Sequence, residues 1–304
     1  MLRTINFMGV RNVAFGITVL LTLLALFSWF SKGLNYGLDF TGGTLIELTY
    51  ERPADVGQVR EQLMTSGYTD AVVQSFGATT DLLVRMPGED PQLGQQVAEA
   101  LQKAGGDNPA QVKRVEYVGP QVGEELRDQG GLGMLMALGG ILLYLAFRFQ
   151  WKFAVGAIVS LIHDVIVTVG ILSFFQITFD LTVLAAVLAI IGYSLNDTIV
   201  VFDRVRENFR VLRKATLIEN INISTTQTLL RTMATSISTL LAIGALLVFG
   251  GDNLFGFSIA LFIGVLAGTY SSIYIANVVL LWLNLSTEDL IPPVVSDTEV
   301  DDRP

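Results

Sequence analysis

Hydrophobic residues along the chain are gathered into six long segments that hold almost no charged side chains. These segments cover residues 13–30, 132–150, 153–175, 181–202, 232–249 and 254–283. A helix needs about 20 apolar residues to cross the hydrocarbon core of a bilayer, and the segments meet or approach that length. The pattern therefore predicts an α-helical membrane protein with six transmembrane helices.

Between the first two segments, residues 32–130 carry an ordinary share of charge and show different hydrophobic periods. Alternating patterns predict strands, and apolar residues three to four positions apart, such as Val56, Val59 and Leu63, predict helices. The predicted strands cover 44–50, 71–76, 81–86 and 112–118, and the predicted helices cover 53–66 and 91–104. The order β-α-β-β-α-β is the ferredoxin-like pattern, so we expect a ferredoxin-like α+β domain between helices 1 and 2.

Lys and Arg residues predict the orientation of the six segments, because short cytoplasmic loops are enriched in them. Arg148, near the end of segment 2, and Lys152 fill the tight turn that leads into segment 3. The 203–231 connection holds several more basic residues, whereas the two short loops on the other side hold none. We therefore expect a multi-pass protein of the bacterial inner membrane with both termini in the cytoplasm. The predicted divisions are 1–31 (N-terminus and helix 1), 32–130 (periplasmic domain), 131–285 (helices 2–6) and 286–304 (acidic cytoplasmic tail).

The first segment differs from a signal peptide in its length. It exceeds the roughly 7–15 apolar residues typical of one, and no A-x-A pattern follows it, so we expect a retained helix. The absence of cysteine excludes disulfides and thiolate metal sites, and the single histidine, His163, excludes multi-histidine zinc sites. The net charge of -9 is opposite to that of a nucleic-acid-binding protein. We expect no metal, no cofactor and no nucleic-acid partner.

Four motifs carry a resemblance to a known family. They read LDFTGG at 38–43, EYVGPQVG at 116–123, IGYSLNDTIVVFDRVREN at 191–208 and NISTTQTLLRT at 222–232. Together they closely resemble the SecD/SecF family of protein-export membrane proteins, and its SecF members in particular. The resemblance covers essentially the whole chain, and the motif at 191–208 is highly specific. The family belongs to the resistance-nodulation-division superfamily of proton-driven transporters.

The resemblance implies a translocase subunit rather than an enzyme. It implies a heterodimer with SecD, in which each protein contributes six spans around a pseudo-symmetric interface. It also implies that the pair assists the SecYEG translocon, with YajC and YidC as further partners, and uses the proton motive force to export a preprotein. No cofactor is implied.

Charged residues inside a bilayer are costly and are therefore candidates for a functional role. Asp197 lies within the fourth segment, and Arg231 opens the fifth at the same side of the membrane, so the two could pair. On the family motifs they match the positions implicated in proton conduction. A carboxyl kept from water can hold a proton near neutral pH, and a nearby guanidinium favours its release. The hypothesis is a proton carrier, Asp197, with Arg231 as its modulator; the alternative is a pair that only joins two helices.

Three more polar residues extend this proton-relay set. Asn196 is placed to orient Asp197. His163 and Asp164 lie near the middle of the third segment, where they either extend the relay or satisfy an internal hydrogen-bond network.

Two further groups have predicted structural roles. Paired glycines permit backbone turns closed to other residues, so the 38–43 motif is expected to form a rigid joint between the membrane and the external domain. Its members are Leu38, Asp39, Phe40, Thr41, Gly42 and Gly43. Gly264 and Gly268 lie four apart on a small-residue face suited to close helix packing, with SecD as the expected neighbour. The 203–231 connection is predicted to be an amphipathic cytoplasmic helix that contacts membrane lipid or a protein partner.

Competing functions remain open at this point. The main alternative is a non-transporting membrane scaffold that stabilises SecD and the translocon. An enzyme with an external active site has little support, because residues 32–130 hold no histidine, cysteine or nucleophile motif. Half of a drug exporter is a further option, but exporters of the superfamily usually have a larger external insertion.

Overall fold

A computed structural model describes residues 4–76, 78–88, 90, 92–104, 108–212, 214–286 and 289. Most of the predicted acidic tail, 286–304, lies outside the described residues. Six helical segments in the described part are long and apolar enough to cross a membrane, as judged by length and composition. The predicted six-span architecture is confirmed.

The helices form the larger part of the structure. They are α1 (Arg11–Lys32), α2 (Leu38–Thr41), α3 (Val56–Thr65), α4 (Leu93–Ala104), α5 (Pro120–Arg148), α6 (Trp151–Phe174), α7 (Leu181–Val211), α8 (Leu217–Phe249), α9 (Asp252–Ile273) and α10 (Ile275–Trp282). A short 3₁₀ helix, Phe7–Val10, leads into α1. The six spans are α1, α5, α6, α7, α8 and the consecutive pair α9 and α10.

Several helix ends differ from the sequence-based bounds. Helix α5 begins at Pro120, well before the predicted start at residue 132. Proline is favoured in the first turn of a helix, and the polar residues that follow it continue the helix outside the apolar segment. The predicted single helix over 203–231 is absent. Its residues instead continue α7 to Val211 and start α8 at Leu217, where Thr216 and Glu219 form a capping box.

The last predicted span, 254–283, is broken between α9 and α10 at Tyr274. Asn277 follows the break and is fully buried. Its amide nitrogen donates to the carbonyl oxygens of Ser272 (3.2 Å) and Ile273 (2.9 Å). Since backbone carbonyls inside a membrane protein need partners, this side chain stabilises the interruption of the helix.

The external sheet has the topology expected of a ferredoxin-like domain. Its strands are β2 (Gly43–Thr49), β3 (Val72–Phe76), β4 (Ala78–Met86) and β5 (Gln111–Val118). They pair in the order β3-β4-β2-β5, and every neighbouring pair is antiparallel. Residues of α3 and α4 pack on the sheet, and the shared core includes Ile46, Leu48, Leu63, Val84, Val97 and Leu101. The predicted ferredoxin-like α+β fold is confirmed.

A second, two-stranded sheet was not predicted. Strand β1 (Asn35–Tyr36) pairs in parallel with β6 (Thr178–Phe179), far apart in the sequence. The sequence indicated only a turn around 175–180. This pairing holds the chain after α1 beside the chain before α7.

Helix α9 lies at the centre of the membrane bundle and packs against α6, α7 and α8. A Cβ atom on Gly264 would overlap the side chain of Ile190, and one on Gly268 would lie 3.0 Å from the Cβ of Ser194. Both glycines therefore allow α9 to approach α7 of the same chain. The packing role was predicted with SecD as the expected neighbour, and within this chain the neighbour is α7.

Candidate functional site

Asp197 lies on α7 in the interior of the bundle, with only 3% of its surface exposed. Its Oδ2 atom is buried and has no hydrogen-bond partner among the described residues. It shares a helix face with Ser194 and Val201, which are also buried, because residues three and four apart lie on one side of a helix. A buried carboxylate without a partner is costly, so its charge depends strongly on nearby groups.

Arg231 lies on α8 with an exposed side chain. No ion pair within 4.0 Å joins it to Asp197 among the described residues. The helices that carry the two residues, α7 and α8, pack against each other. The structure therefore places the two residues on neighbouring helices without the direct contact that the sequence suggested.

Asn196 does not contact Asp197 through a described hydrogen bond, and its side chain is exposed. Consecutive residues of a helix point about 100° apart, so a buried Asp197 turns Asn196 outward. The orienting contact expected from the sequence is absent in this structure.

His163 and Asp164 form a buried network in the middle of α6. The Nδ1 atom of His163 lies 3.0 Å from Oδ1 of Asp164. The other carboxyl oxygen, Oδ2, accepts hydrogen bonds from the hydroxyls of Ser194 (2.5 Å) and Ser271 (2.7 Å). Asp164 thereby connects α6 to α7 and α9 through hydrogen bonds. Of the two roles considered from the sequence, a relay or an internal hydrogen-bond network, these contacts correspond to the network.

Ser194 and Ser271 were missed by the sequence reasoning. Ser194 precedes Asp197 by three residues in the 191–208 motif, so their shared helix face could have been found from spacing alone. The rise of about 1.5 Å per residue separates them by about 4.5 Å along α7. Ser194 also donates a hydrogen bond to Asp164. The buried carboxyls of Asp164 and Asp197 therefore lie within about one helical turn of each other along the bundle.

Other buried hydroxyls have no hydrogen-bond partner among the described residues. They are Ser160 and Thr168 on α6, Thr198 on α7, Thr225 and Thr232 on α8, and Ser258 on α9. A hydroxyl can both donate and accept a hydrogen bond. The helices around Asp164 and Asp197 thus carry hydroxyls whose hydrogen-bonding capacity is unused among the described residues.

The end of the bundle that carries Arg148, Lys152 and Asp203 is called the basic end below. Asp203, six residues after Asp197, pairs with Arg148, the last residue of α5. Arg206 lies 3.5 Å from the same carboxyl group. Lys152 forms a further ion pair with Asp289 at 2.6 Å. The Arg148–Asp203 pair joins the end of α5 to α7, and the Lys152–Asp289 pair joins the start of α6 to the segment after α10.

The 38–43 motif forms a tight joint where the external sheet meets the bundle. Gly42 and Gly43 have φ angles of +64° and +107°, which side chains other than glycine rarely adopt. A Cβ on Gly42 would lie 2.9 Å from the Cα of Pro120, at the start of α5. A Cβ on Gly123 would lie 2.9 Å from the backbone nitrogen of Gly42. The close contact between the 38–43 motif and the start of α5 therefore requires glycine at both Gly42 and Gly123.

Polar and aromatic members of the same motif reach α7. The Oδ2 atom of Asp39 accepts a hydrogen bond from the backbone N–H of Leu181 at 3.0 Å, in the first turn of α7. Negative charge is favourable there because a helix N-terminus carries partial positive charge. The ring of Phe40 packs against Tyr36 and Phe179, with ring centres 6.2 and 6.1 Å apart. Thr41 donates its hydroxyl to the carbonyl of Gly37 (3.1 Å). Leu38 is buried in the joint.

No cluster of three or more potential metal ligands occurs among the described residues. The candidate site consists of two buried carboxyls, the hydroxyls around them and one cation. Such groups can hold and pass a proton, or join helices, without a bound metal or cofactor.

Two family models match the chain. The model of the C-terminal part of the SecD/SecF protein-export membrane proteins matches residues 96–286, more than half of the chain. The SecD/SecF GG-motif model matches residues 27–54, which include the joint.

Full-length relatives and one solved structure agree with these models. The chain is 78% identical to protein translocase subunit SecF of Pseudomonas aeruginosa over 301 residues, covering 99% of this chain and 98% of the relative. It is 45% identical to the SecF subunit of Escherichia coli O157:H7, covering 97% and 93% of the two chains. A crystal structure of SecDF from Thermus thermophilus, described as a translocon-associated membrane protein, superposes with a TM-score of 0.84 at 41% identity. That match covers 93% of this chain and only 39% of the longer solved chain. This chain belongs to the SecD/SecF family of protein-export membrane proteins.

Proposed function

We propose that this chain works with a SecD partner to drive preprotein export through the SecYEG translocon with energy from the proton motive force. In this proposal Asp197 carries the proton and Arg231 modulates its release. The protein lies in the bacterial inner membrane with both termini and the basic end in the cytoplasm, where the Lys/Arg bias of the short loops places them. YajC, YidC and membrane lipid are further proposed partners.

The observation that carries the proposal is the environment of Asp197. Its carboxyl is buried in the fourth span, and one of its oxygens has no hydrogen-bond partner among the described residues. Arg231, on the helix packed against α7, forms no ion pair with it within 4.0 Å among those residues. A structural ion pair would be expected to close to hydrogen-bond distance, because an unpaired buried charge costs several kcal/mol, roughly 3–5. A site that binds and releases a proton instead needs a carboxyl whose partner can approach and withdraw.

The 38–43 joint offers a path from the proton site to the external domain. Asp39 holds the first turn of α7, and Asp197 lies on the same helix 16 residues later, or about 24 Å along its axis. Gly42 and Gly43 connect that contact directly to strand β2. A shift of α7 on protonation would therefore reach the external sheet through a short, packed connection. One charge crossing 100 mV gains about 2.3 kcal/mol, which is enough to bias two conformations.

The test uses the full chain reconstituted with its SecD partner and SecYEG in proteoliposomes. Asp197→Asn removes the titratable group but keeps its size, and it is expected to preserve assembly with SecD while abolishing the part of export that depends on the proton gradient. Asp203→Asn is the matched control, since it removes an acidic group from the same helix at the basic end. We expect Asp203→Asn to retain gradient-dependent export.

Two outcomes would decide against a proton carrier. If Asp197→Asn exports as well as the parent under a proton gradient, the assignment of Asp197 is refuted. If neither the parent nor the variant responds to the gradient while both still stabilise SecD, the chain acts as a scaffold. Co-purification with SecD distinguishes loss of assembly from loss of proton coupling.

A further inference from the structure

Helices α7 and α8 are neighbours, and two side-chain hydrogen bonds fix how they are aligned. Near the middle of α7, the hydroxyl of Tyr193 donates to Ser236 Oγ on α8 at 3.3 Å. Near the end of α7, Nδ2 of Asn208 donates to Ser224 Oγ on α8 at 2.8 Å. The later residue of α7 thus meets the earlier residue of α8, so the two helices run antiparallel. These bonds define the seam between them.

A column of buried hydroxyls on α8 lines this seam. Interpolation between the two hydrogen bonds, with the same rise per residue along each helix, places Asp197 level with Thr232. Thr228, Thr225 and Ser224 follow at spacings of three and four, so they share one side of α8. All four α8 residues are at most 8% exposed. The column therefore extends from the level of Asp197 to the basic end.

The part of the column nearest Asp197 has hydrogen-bonding capacity that the described residues do not use. Oγ1 of Thr232, Oγ1 of Thr225 and Oδ2 of Asp197 are buried without a partner among them. Thr228 lies between the other two threonines and donates its hydroxyl to the carbonyl of Ser224 at 3.0 Å. Hydroxyls can both donate to and accept from water, so water entering the seam would supply the missing bonds.

The column is closed at the basic end by a buried network of neutral side chains. Asn208 Nδ2 donates to Ser224 Oγ (2.8 Å) and to Gln227 Oε1 (2.9 Å). Ser224 donates to Asn220 Oδ1 (3.0 Å), and Asn220 Nδ2 donates to the carbonyl of Val205 on α7 (3.4 Å). Asn208, Asn220 and Ser224, called the polar lock below, are at most 5% exposed.

The chemistry of the polar lock suits a closure that opens and recloses. Its members are uncharged, and hydrogen bonds between helices in a membrane protein are individually modest. When α7 and α8 separate at this end, each amide and hydroxyl can bond water in place of its present partner. Opening therefore exchanges hydrogen bonds and leaves no buried charge unpaired.

We propose that a proton leaves Asp197 toward the basic end along water held by Thr232, Thr228 and Thr225, and that the polar lock is the gate of this exit. The inference rests on the proposed role of Asp197 as proton carrier. The O–H bond of the Asp197 carboxyl breaks, the adjacent water takes the proton, and Asp197 is left as a carboxylate. Each following water passes one proton on until the aqueous phase receives it.

The test uses the absence of cysteine from the chain, because a single introduced cysteine then reports water access. Thr228→Cys and Thr225→Cys are each made in the full chain and reconstituted with SecYEG and a SecD partner whose own cysteines have been replaced. The probe is a charged, membrane-impermeant thiosulfonate added on the side of the basic end. It reacts with the thiolate, which forms in water rather than in an apolar interior.

Labelling of Thr228→Cys is expected to be slow at rest and about tenfold faster under a proton gradient. The rate follows the open fraction, and a rise from about 1% to about 10% gives that factor. Adding Asn208→Ala removes a member of the polar lock and should speed labelling without a gradient. Ile243→Cys is the control, because Ile243 is buried on α8 beyond Asp197 and should stay unlabelled from this side.

Two results would overturn the exit. One is a Thr228→Cys and a Thr225→Cys that stay unlabelled both under a gradient and with Asn208→Ala. The other is labelling of Ile243→Cys as fast as that of Thr228→Cys, since this would show general loosening of α8. The gradient measurement keeps the test decisive if Asn208→Ala fails to fold. Failure of the proposed function is read separately, from normal gradient-dependent export by Asp197→Asn.

Discussion

The hydroxyl of Ser194 on α7 donates a 2.5 Å hydrogen bond to Asp164 Oδ2 on α6, in the middle of the bundle. Ser271 on α9 donates to the same oxygen at 2.7 Å. One fully buried carboxyl thus joins three helices, and it does so one turn along α7 from the other buried acid, Asp197. Interhelical hydrogen bonds in membrane proteins are modest individually, averaging about 0.6 kcal/mol.

Removing the two serine donors is expected to be non-additive. Ser194→Ala or Ser271→Ala alone leaves Asp164 Oδ2 with one donor, so each should cost about 0.5–2 kcal/mol of stability. The double variant leaves a buried oxygen without either donor and should cost more than the sum of the two. Thermal unfolding of the full chain in detergent measures all three.

Ser238→Ala serves as the control, because the Ser238 hydroxyl is exposed and bonds only the carbonyl of Thr235 in its own helix. We expect little change there. A double variant of Ser194 and Ser271 that costs no more than the sum would mean that other groups replace both donors.

Gly264→Ala is expected to force α9 away from α7. The added methyl group would overlap Ile190, which is 1% exposed and has no room to move. Overpacking of this kind costs about 1–3 kcal/mol and should exceed the helix-propensity gain of about 1 kcal/mol from replacing glycine. The measurement is the midpoint of thermal unfolding.

Gly244→Ala on α8 is the matched change in open space, since nothing lies within 4 Å of the added carbon. It should be neutral or slightly stabilising. Combining Gly264→Ala with Ile190→Ala should recover part of the lost packing. Equal stability of the Gly264 and Gly244 variants would show that α7 and α9 are not in close contact in the membrane.

Gly43→Ala is expected to disrupt the joint more than a change of backbone preference alone would. A residue with a side chain pays about 1–2 kcal/mol to adopt a left-handed conformation, and at Gly43 the new methyl group would also collide with the carbonyl oxygen of Met86. Gly33→Ala is the control for the backbone effect alone. Gly33 has a φ of +68°, and no atom lies within 4 Å of the position that an added Cβ would occupy.

Hydrogen exchange at β2 and at the start of α5 measures the result. Protection should fall in both segments for Gly43→Ala and remain near the parent value for Gly33→Ala. The same loss of protection in both variants would mean that the joint depends on backbone freedom rather than on close packing.

The external sheet should lose stability in acid because of Asp81. The pKa of Asp81 is lowered below its usual value of 3.8, chiefly by a hydrogen bond from Thr49 (2.5 Å). Burial is the next largest influence and opposes this shift, while the hydrogen bond and charge of Lys113 add to it. A carboxyl with a depressed folded-state pKa stabilises the fold above its unfolded-state pKa. That contribution is lost as the pH falls below about 3.9 and through the folded-state value.

Hydrogen exchange of β4 in the full chain, measured between neutral pH and about pH 3, checks this expectation. In Asp81→Asn, the loss of β4 protection at pH values below the usual carboxyl pKa should be smaller than in the parent. Thr49→Val should also make this acid-dependent loss smaller. A parent and an Asp81→Asn variant with superimposable profiles would contradict the assignment.

Much of the architecture followed from local sequence patterns. The six apolar segments and the β-α-β-β-α-β order of the external domain needed only the period of hydrophobic residues. Asp197 and Asp164 were identifiable because charge is rare in such segments. The start of α5 at Pro120 was missed because its first turns are polar and resemble the preceding domain.

The sequence by itself determined which segments are apolar enough for a membrane, which are amphipathic, and which few ionisable residues must be buried. These properties depend on residues close together in the chain. Only the tertiary structure decided that β1 pairs with β6, that Gly264 faces α7, that Ser194 and Ser271 meet Asp164, and that Arg231 stands off from Asp197. Those contacts join distant parts of the chain, and they depend on how the helices rotate and pack against one another, which no local pattern specifies.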